Sequence, residues 1–231
     1  MKTKLFIPFA FLAVLALMAG CAKDPTACFT MTSVSIDDEI MPLAGEDISF
    51  ENCSAEATSY TWDFGDDETS SKESPTHAFP EAGTYTVTLT ASGDGGSKSS
   101  TQDIEVEDLK GSWEGTMSFT AVGDADITFD LEQLGSELTG TADDGYGPYD
   151  LTSGSEVIDR EVTIKFTVPM TTGTAPFKLV GNVNDDADEM NGDFTVTGYP
   201  DANGTWNITK NKKKSTINPN GKGLESLLKK Y

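Results

Sequence analysis

From Cys28 to Lys210, short β-branched and aromatic runs alternate with clusters of Gly, Pro, Asp and Ser, and no stretch in that span repeats apolar residues at helical spacing. Period-two runs bounded by such turn residues form strands, and many short strands at this spacing pair into sandwiches or barrels. An all-β chain is therefore expected. The 12 Phe, 3 Trp and 6 Tyr are enough to fill packed cores, whereas a disordered chain is poor in aromatics.

Charge removes whole classes of function. With 16 Lys+Arg against 38 Asp+Glu, the formal net charge is −22, which repels phosphate and excludes a nucleic-acid partner. A single histidine, His77, removes most His-based metal sites and nucleophile–base pairs. No phosphate-cradling glycine loop or cofactor motif is present, so neither enzyme chemistry nor a cofactor is expected. Residues 22–107 hold 3 basic and 18 acidic residues, 108–212 hold 6 and 19, and 213–231 hold 5 and 1. That partition implies two acidic globular units and a basic tail.

Lys2 and Lys4 precede an uncharged apolar run from Leu5 to Gly20, followed by Cys21. The run is too short for a comfortable membrane span but suits a secretory leader. Ala19-Gly20-Cys21 resembles the lipobox of bacterial lipoproteins, with Met18 where that family usually has Leu. The resemblance implies that 1–20 is a signal peptide and that Cys21 is diacylated, with 21–27 as a tether to a membrane. Ala22-Lys23-Asp24-Pro25 resembles the stretch after the acylated cysteine in surface lipoproteins of Bacteroidetes-type bacteria. Outer-membrane anchoring, at the cell surface, is the expectation that follows. An ordinary cleaved leader with an incidental cysteine is the alternative.

In 28–107, Tyr60, Trp62 and Phe64 alternate with Thr61 and Asp63, and Tyr85, Val87 and Leu89 repeat with period two. Both sets should face one core. Three blocks, Ser59-Tyr60-Thr61-Trp62-Asp63-Phe64-Gly65-Asp66-Asp67, Pro75-Thr76-His77 and Ala82-Gly83-Thr84-Tyr85-Thr86-Val87-Thr88-Leu89-Thr90, resemble the PKD domain, an immunoglobulin-like β-sandwich. Asp67 stands where that family usually has glycine, and aspartate tolerates a left-handed backbone better than most residues. The turn aspartates could ligate Ca²⁺ but are expected to satisfy backbone amides instead, and His77 is expected to hydrogen-bond across a loop. With Cys21 assigned to lipid, Cys28 and Cys53 are the remaining cysteines. They sit at the ends of two expected antiparallel neighbours, and an exported chain should bridge them.

In 108–212, strands are expected near 112–119, 125–133, 137–142, 151–158, 161–168, 175–183, 189–197 and 203–210. Eight antiparallel strands are the number at which an up-and-down barrel just encloses side chains or one small ligand. Gly111-Ser112-Trp113 opens this stretch and Gly204-Thr205-Trp206 closes it, with Leu138-Thr139-Gly140-Thr141 and Met190-Asn191-Gly192-Asp193 between. The pattern resembles the lipocalin-like barrels of bacterial lipoproteins, although Lys210 stands where lipocalins set an arginine across the first tryptophan. Both tryptophans are expected to pack rather than to touch ligand.

Loop parity in such a barrel gathers 120–124, 143–150, 169–174 and 198–202 at one rim, bringing Tyr146, Tyr149, Met170 and Tyr199 together. Exposed tyrosines beside Gly and Pro can stack on a sugar ring or line an apolar mouth; covering loop backbone is the plainer alternative. The run Asn182 to Asp188 has the composition of a calcium loop but lacks its spacing, so a hairpin turn is expected and no metal site is assigned. Lys212–Tyr231 carries Leu224, Leu227 and Leu228 at helical spacing, yet so short a helix is unstable alone, and 213–231 is expected to be a flexible basic tail. A lipid-anchored binding protein is the reading that results, with a glycan or small apolar molecule as ligand. Its alternatives are an envelope protein partner, including an inhibited protease, and a glycoside hydrolase, for which the barrel is too small.

Overall fold

A computed structural model describes residues 23–32, 41–211, 223–229 and 231. The leader, Cys21 and the segment 212–222 lie outside the described residues. The first module comprises β1 (Phe29–Thr32), β2 (Ile48–Asn52), β3 (Ser59–Asp63), β4 (Thr69–Ser70), β5 (Thr76–His77), β6 (Gly83–Gly93) and β7 (Gly96–Val106). They form two sheets, ordered β1-β2-β5 and β4-β3-β6-β7. As the alternation predicts, Trp62, Phe64, Val87 and Leu89 are buried between the sheets with Phe29 and Phe50, while Tyr60 and Tyr85 pack at the core's margin. The Trp62 indole N–H donates to the Lys72 carbonyl at 2.9 Å, so this large apolar body is buried with its polar atom satisfied.

Cys28 and Cys53 form the expected disulfide, with Cα atoms 4.9 Å apart. Their geometry follows from register: Phe29 pairs with Asn52, and the Cys53 amide donates to the Cys28 carbonyl at 2.9 Å. Asp67 takes φ 70°, the left-handed conformation its place in the turn requires.

The second module comprises β8 (Gly111–Phe119), β9 (Gly123–Leu134), β10 (Glu137–Asp143), β11 (Pro148–Asp150), β12 (Glu156–Ile158), β13 (Glu161–Pro169), β14 (Thr174–Val183), β15 (Glu189–Val196) and β16 (Asn203–Lys210). All pairings are antiparallel, and the ladder closes through β16–β8 and β9–β10. It is an eight-position barrel whose fourth position is split. Of the strand expected over 151–158 only β12 forms, pairing with β13 and, at Glu156, with β10, while β11 lies just before the expected range and pairs with β10. Between them the buried Ser155 hydroxyl donates toward the Thr152 and Lys165 carbonyls and accepts from the Lys165 amide, replacing the missing ladder bonds.

Side chains fill the interior. Phe129, Phe166, Phe177 and Phe194 are at most 2% exposed, and Phe166 and Phe177 stack with centroids 5.0 Å apart. Trp206 lies opposite Gly192, which in turn lies opposite Gly181. A Cβ at Gly181 would come within 2.7 Å of the Trp206 ring, so two side-chain-free positions on adjacent strands make room for one indole. Among the described residues, the middle of the barrel is therefore packed with side chains. Trp113 closes one end with its indole N–H on the Leu109 carbonyl at 2.8 Å, and the Lys210 ammonium lies 5.7 Å from its ring centroid.

The two modules are docked. Leu43 of the sandwich is 2% exposed and belongs to the barrel's core. The Arg160 guanidinium donates to the Met41 and Asn184 carbonyls at 2.7 and 2.5 Å. Gln133 donates to the Ala44 carbonyl at 2.7 Å, and the Gly135 amide donates to Pro80 at 2.8 Å. These contacts cover the rim holding the β9–β10, β12–β13 and β14–β15 turns.

The opposite rim is covered by helix α1 (Leu224–Leu228). Leu224, Leu227 and Leu228 are at most 1% exposed and join the barrel core. The expectation of a flexible tail over 213–231 therefore fails for 224–228. A five-residue helix is unstable alone, but here its leucine face is buried against a ready-made apolar mouth.

Candidate functional site

Antiparallel topology carries the loops after β8, β10, β13 and β15 to one rim, so Tyr146, Tyr149, Met170 and Tyr199 do share an end of the barrel. Their environments differ. Tyr146 follows Asp143-Asp144-Gly145 and is 65% exposed, with one side of its ring against Gly223. Tyr149, Met170 and Tyr199 are half-buried and pack on the barrel core. Only Tyr146 offers a broad outward face; the other three support the rim.

Asp144, which sequence reasoning passed over, is the polar centre of this end. It is 5% exposed. Its Oδ1 accepts the Tyr149 hydroxyl at 2.8 Å and the Tyr146 amide at 3.1 Å, and its Oδ2 accepts the Leu224 amide at 2.7 Å. Burial, followed by the hydrogen bond to Asp144 and its charge, pushes the Tyr149 phenol well above its usual range. Thr171 completes the contact with α1 by donating to Glu225 at 2.9 Å. An acidic pair beside rim tyrosines was the available signal for Asp144; nothing in the sequence pointed to Thr171.

The hold on α1 is modest. Burying three leucines stabilises by about 5–9 kcal/mol and the Asp144 bond by about 1.5–3, against roughly 5–10 kcal/mol to order five backbone residues. The balance lies within a few kcal/mol of zero, so the seat of α1 opens locally far more readily than the barrel unfolds.

The other polar candidates are accounted for by structure. Asp66 accepts the Glu68 amide at 3.1 Å and contacts His77 Nε2 at 2.7 Å, and Asp63 accepts the Gly65 amide at 3.0 Å. His77 is buried, stacked on Phe64 with centroids 4.0 Å apart. In the β14–β15 turn, Asn184 Oδ1 accepts the Asp188 and Glu189 amides. These oxygens serve turns, as expected.

Residues 25–107 match the PKD domain family. Collagenase ColA of Bacillus cereus is 36% identical over 78 residues, 32% of this chain, and the pre-pro-metalloprotease PrtV of Vibrio cholerae is 36% identical over 72 residues, 29% of this chain. The match spans 8% of the length of each of these relatives. Among solved structures, the PKD1 domain of Vibrio anguillarum Epp is 32% identical, with 38% of this chain and 98% of that chain covered and a TM-score of 0.31. The aromatic core, the left-handed aspartate turn and the family match over the same stretch agree: residues 25–107 of this chain are a PKD domain.

Proposed function

We propose that the protein is an exported, lipid-anchored binding protein that holds its barrel away from an envelope and recognises glycan at the exposed rim. One observation supports this reading: Lys23, the first described residue, and the Tyr146 rim lie at opposite ends of the molecule. Lys23 packs on the β6–β7 turn at Gly95 and pairs with Glu56 at 2.8 Å. β6 then runs the length of the sandwich to Gly83, next to the docked barrel, and the barrel strands continue to the rim loops. β6 alone, eleven residues at ~3.3 Å each, spans about 36 Å between the Lys23 end and the docked barrel.

The apolar leader and Cys21 supply the anchor, and the Cys28–Cys53 disulfide fits an oxidising compartment outside the cytoplasm. Tyr146, flanked by Gly145, Gly147 and Pro148, offers a flat amphipathic platform of the kind sugar rings stack on. The PKD domain acts as spacer. The test is retention on immobilised polysaccharides: Tyr146→Ala should weaken it without lowering the melting temperature, and Tyr199→Ala, which removes a half-buried support of the rim, should weaken it with a lower melting temperature. Copurification of an envelope protein that survives both changes would replace glycan with a protein partner, and mass spectrometry showing an unacylated mature N-terminus would remove the anchor.

A further inference from the structure

The seat of α1 has the composition of a ligand site. Three leucine side chains, twelve aliphatic carbons in all, occupy an apolar mouth bordered by Tyr149 and Met170. At its edge stands Asp144, a buried carboxylate whose Oδ2 has one partner among the described contacts, the Leu224 amide. Oδ1 is committed to Tyr146 and Tyr149, elements of the barrel itself. When α1 leaves, Oδ2 loses the Leu224 donor at the edge of an apolar mouth, and a ligand N–H can take that place.

We infer that this mouth is a binding site for a linear aliphatic molecule ending in an amine, for which α1 is a built-in stand-in: leucines in place of the chain, the Leu224 N–H in place of the head group. A cationic donor fits Oδ2 better than the neutral backbone amide, because it adds a full opposite charge to a hydrogen bond that the carboxylate already strengthens. It also enters a negative field from Asp143, which stays at the rim when α1 leaves. An alkanol offers a weaker donor, and an alkanoate is repelled. The ligand competes with α1 for one seat, so its apparent affinity is reduced by the fraction of molecules in which α1 is docked. Glycan stacking on the outer face of Tyr146 uses other atoms, so a rim that binds no polysaccharide would leave this inference standing.

Octylamine, octanol and octanoate are the probes, titrated calorimetrically into the full chain. Octylamine should bind, octanol about tenfold more weakly and octanoate not at all. Octylamine should also speed hydrogen exchange at the 224–229 amides of the unmodified chain while leaving Ile164–Val168 in β13 protected. Leu227→Asp, which expels α1, should tighten octylamine binding about tenfold. Asp144→Asn should erase the preference for octylamine over octanol. The inference is overturned if octylamine does not bind, if octanoate binds equally well, or if exchange over α1 is unchanged or slowed at saturating octylamine. Non-specific attraction to the acidic surface would leave the Asp144→Asn preference intact, and that result also overturns it.

Discussion

Arg160 gives the sharpest test of how the two modules hold together. It occupies the second position of the Asp159-Arg160 turn joining β12 to β13, with φ 49° and 62° at the two residues. Two-residue hairpin turns of this type take glycine or asparagine readily and a long side chain reluctantly. By local conformation alone, Arg160→Gly should stabilise the chain by about 1 kcal/mol. The docked structure predicts the opposite sign. Arg160 is 9% exposed and donates to the carbonyls of Met41 and Asn184. Removing two charge-assisted donors to partly buried carbonyls costs about 1.5–3 kcal/mol each. The net expectation for Arg160→Gly is a loss of about 2–5 kcal/mol, or roughly 4–20 °C in melting temperature for a chain of this size. Arg160→Ala, without the backbone relief, should be about 1 kcal/mol worse than glycine. Thermal and urea unfolding measure both variants, and hydrogen exchange at Ala44 and Gly45 reports the interface directly. A glycine variant as stable as the parent, with those amides still protected, would refute the reasoning.

Three further outcomes follow from individual groups. Burial raises the Glu107 carboxyl above its ordinary range, only partly offset by Lys210 and Arg160; the folded state then holds the proton more tightly than the unfolded one, so its contribution to stability falls as pH rises from about 4.5 upward. Glu107→Gln should flatten that part of the melting-temperature profile. Tyr149 should remain protonated at about pH 11, where an ordinary tyrosine has largely ionised, so Tyr149→Phe should leave the phenolate absorbance of the folded protein there unchanged. Replacing Cys28 and Cys53 by serine should cost about 3 kcal/mol in urea unfolding, with the barrel's hydrogen-exchange protection retained.

Much of the architecture was legible because it rests on period-two patterns. Seven of the barrel's eight expected strands appear within two residues of their expected limits, and Trp62 and Phe64 sit where alternation puts them. The split of the fourth strand was not legible, since Ser155 restores the backbone bonds only through its fold on Lys165. Leu224, Leu227 and Leu228 were visible as a helical stripe, but local stability argued against order. What holds them is the open end of a barrel far away in sequence. Leu43, Arg160 and Asp144 escaped notice for the same reason: each is ordinary in its own segment and acquires its role from a partner 24 to 119 residues distant. The rim tyrosines were correctly gathered by loop parity, but parity counts loops and says nothing of what sits on them.

The disulfide has a mechanical consequence. If tension reaches the sandwich through the residues before Cys28, it pulls on β1, a four-residue strand that would peel from β2 one pair at a time. Once the Thr26–Ala55 bridge has given way, the Cys28–Cys53 link stands ahead of the first β1–β2 pair, so the pull passes sideways into β2 and the central core before any rung of that ladder opens. Under a load from that side, the covalent crossbar turns unzipping into shear.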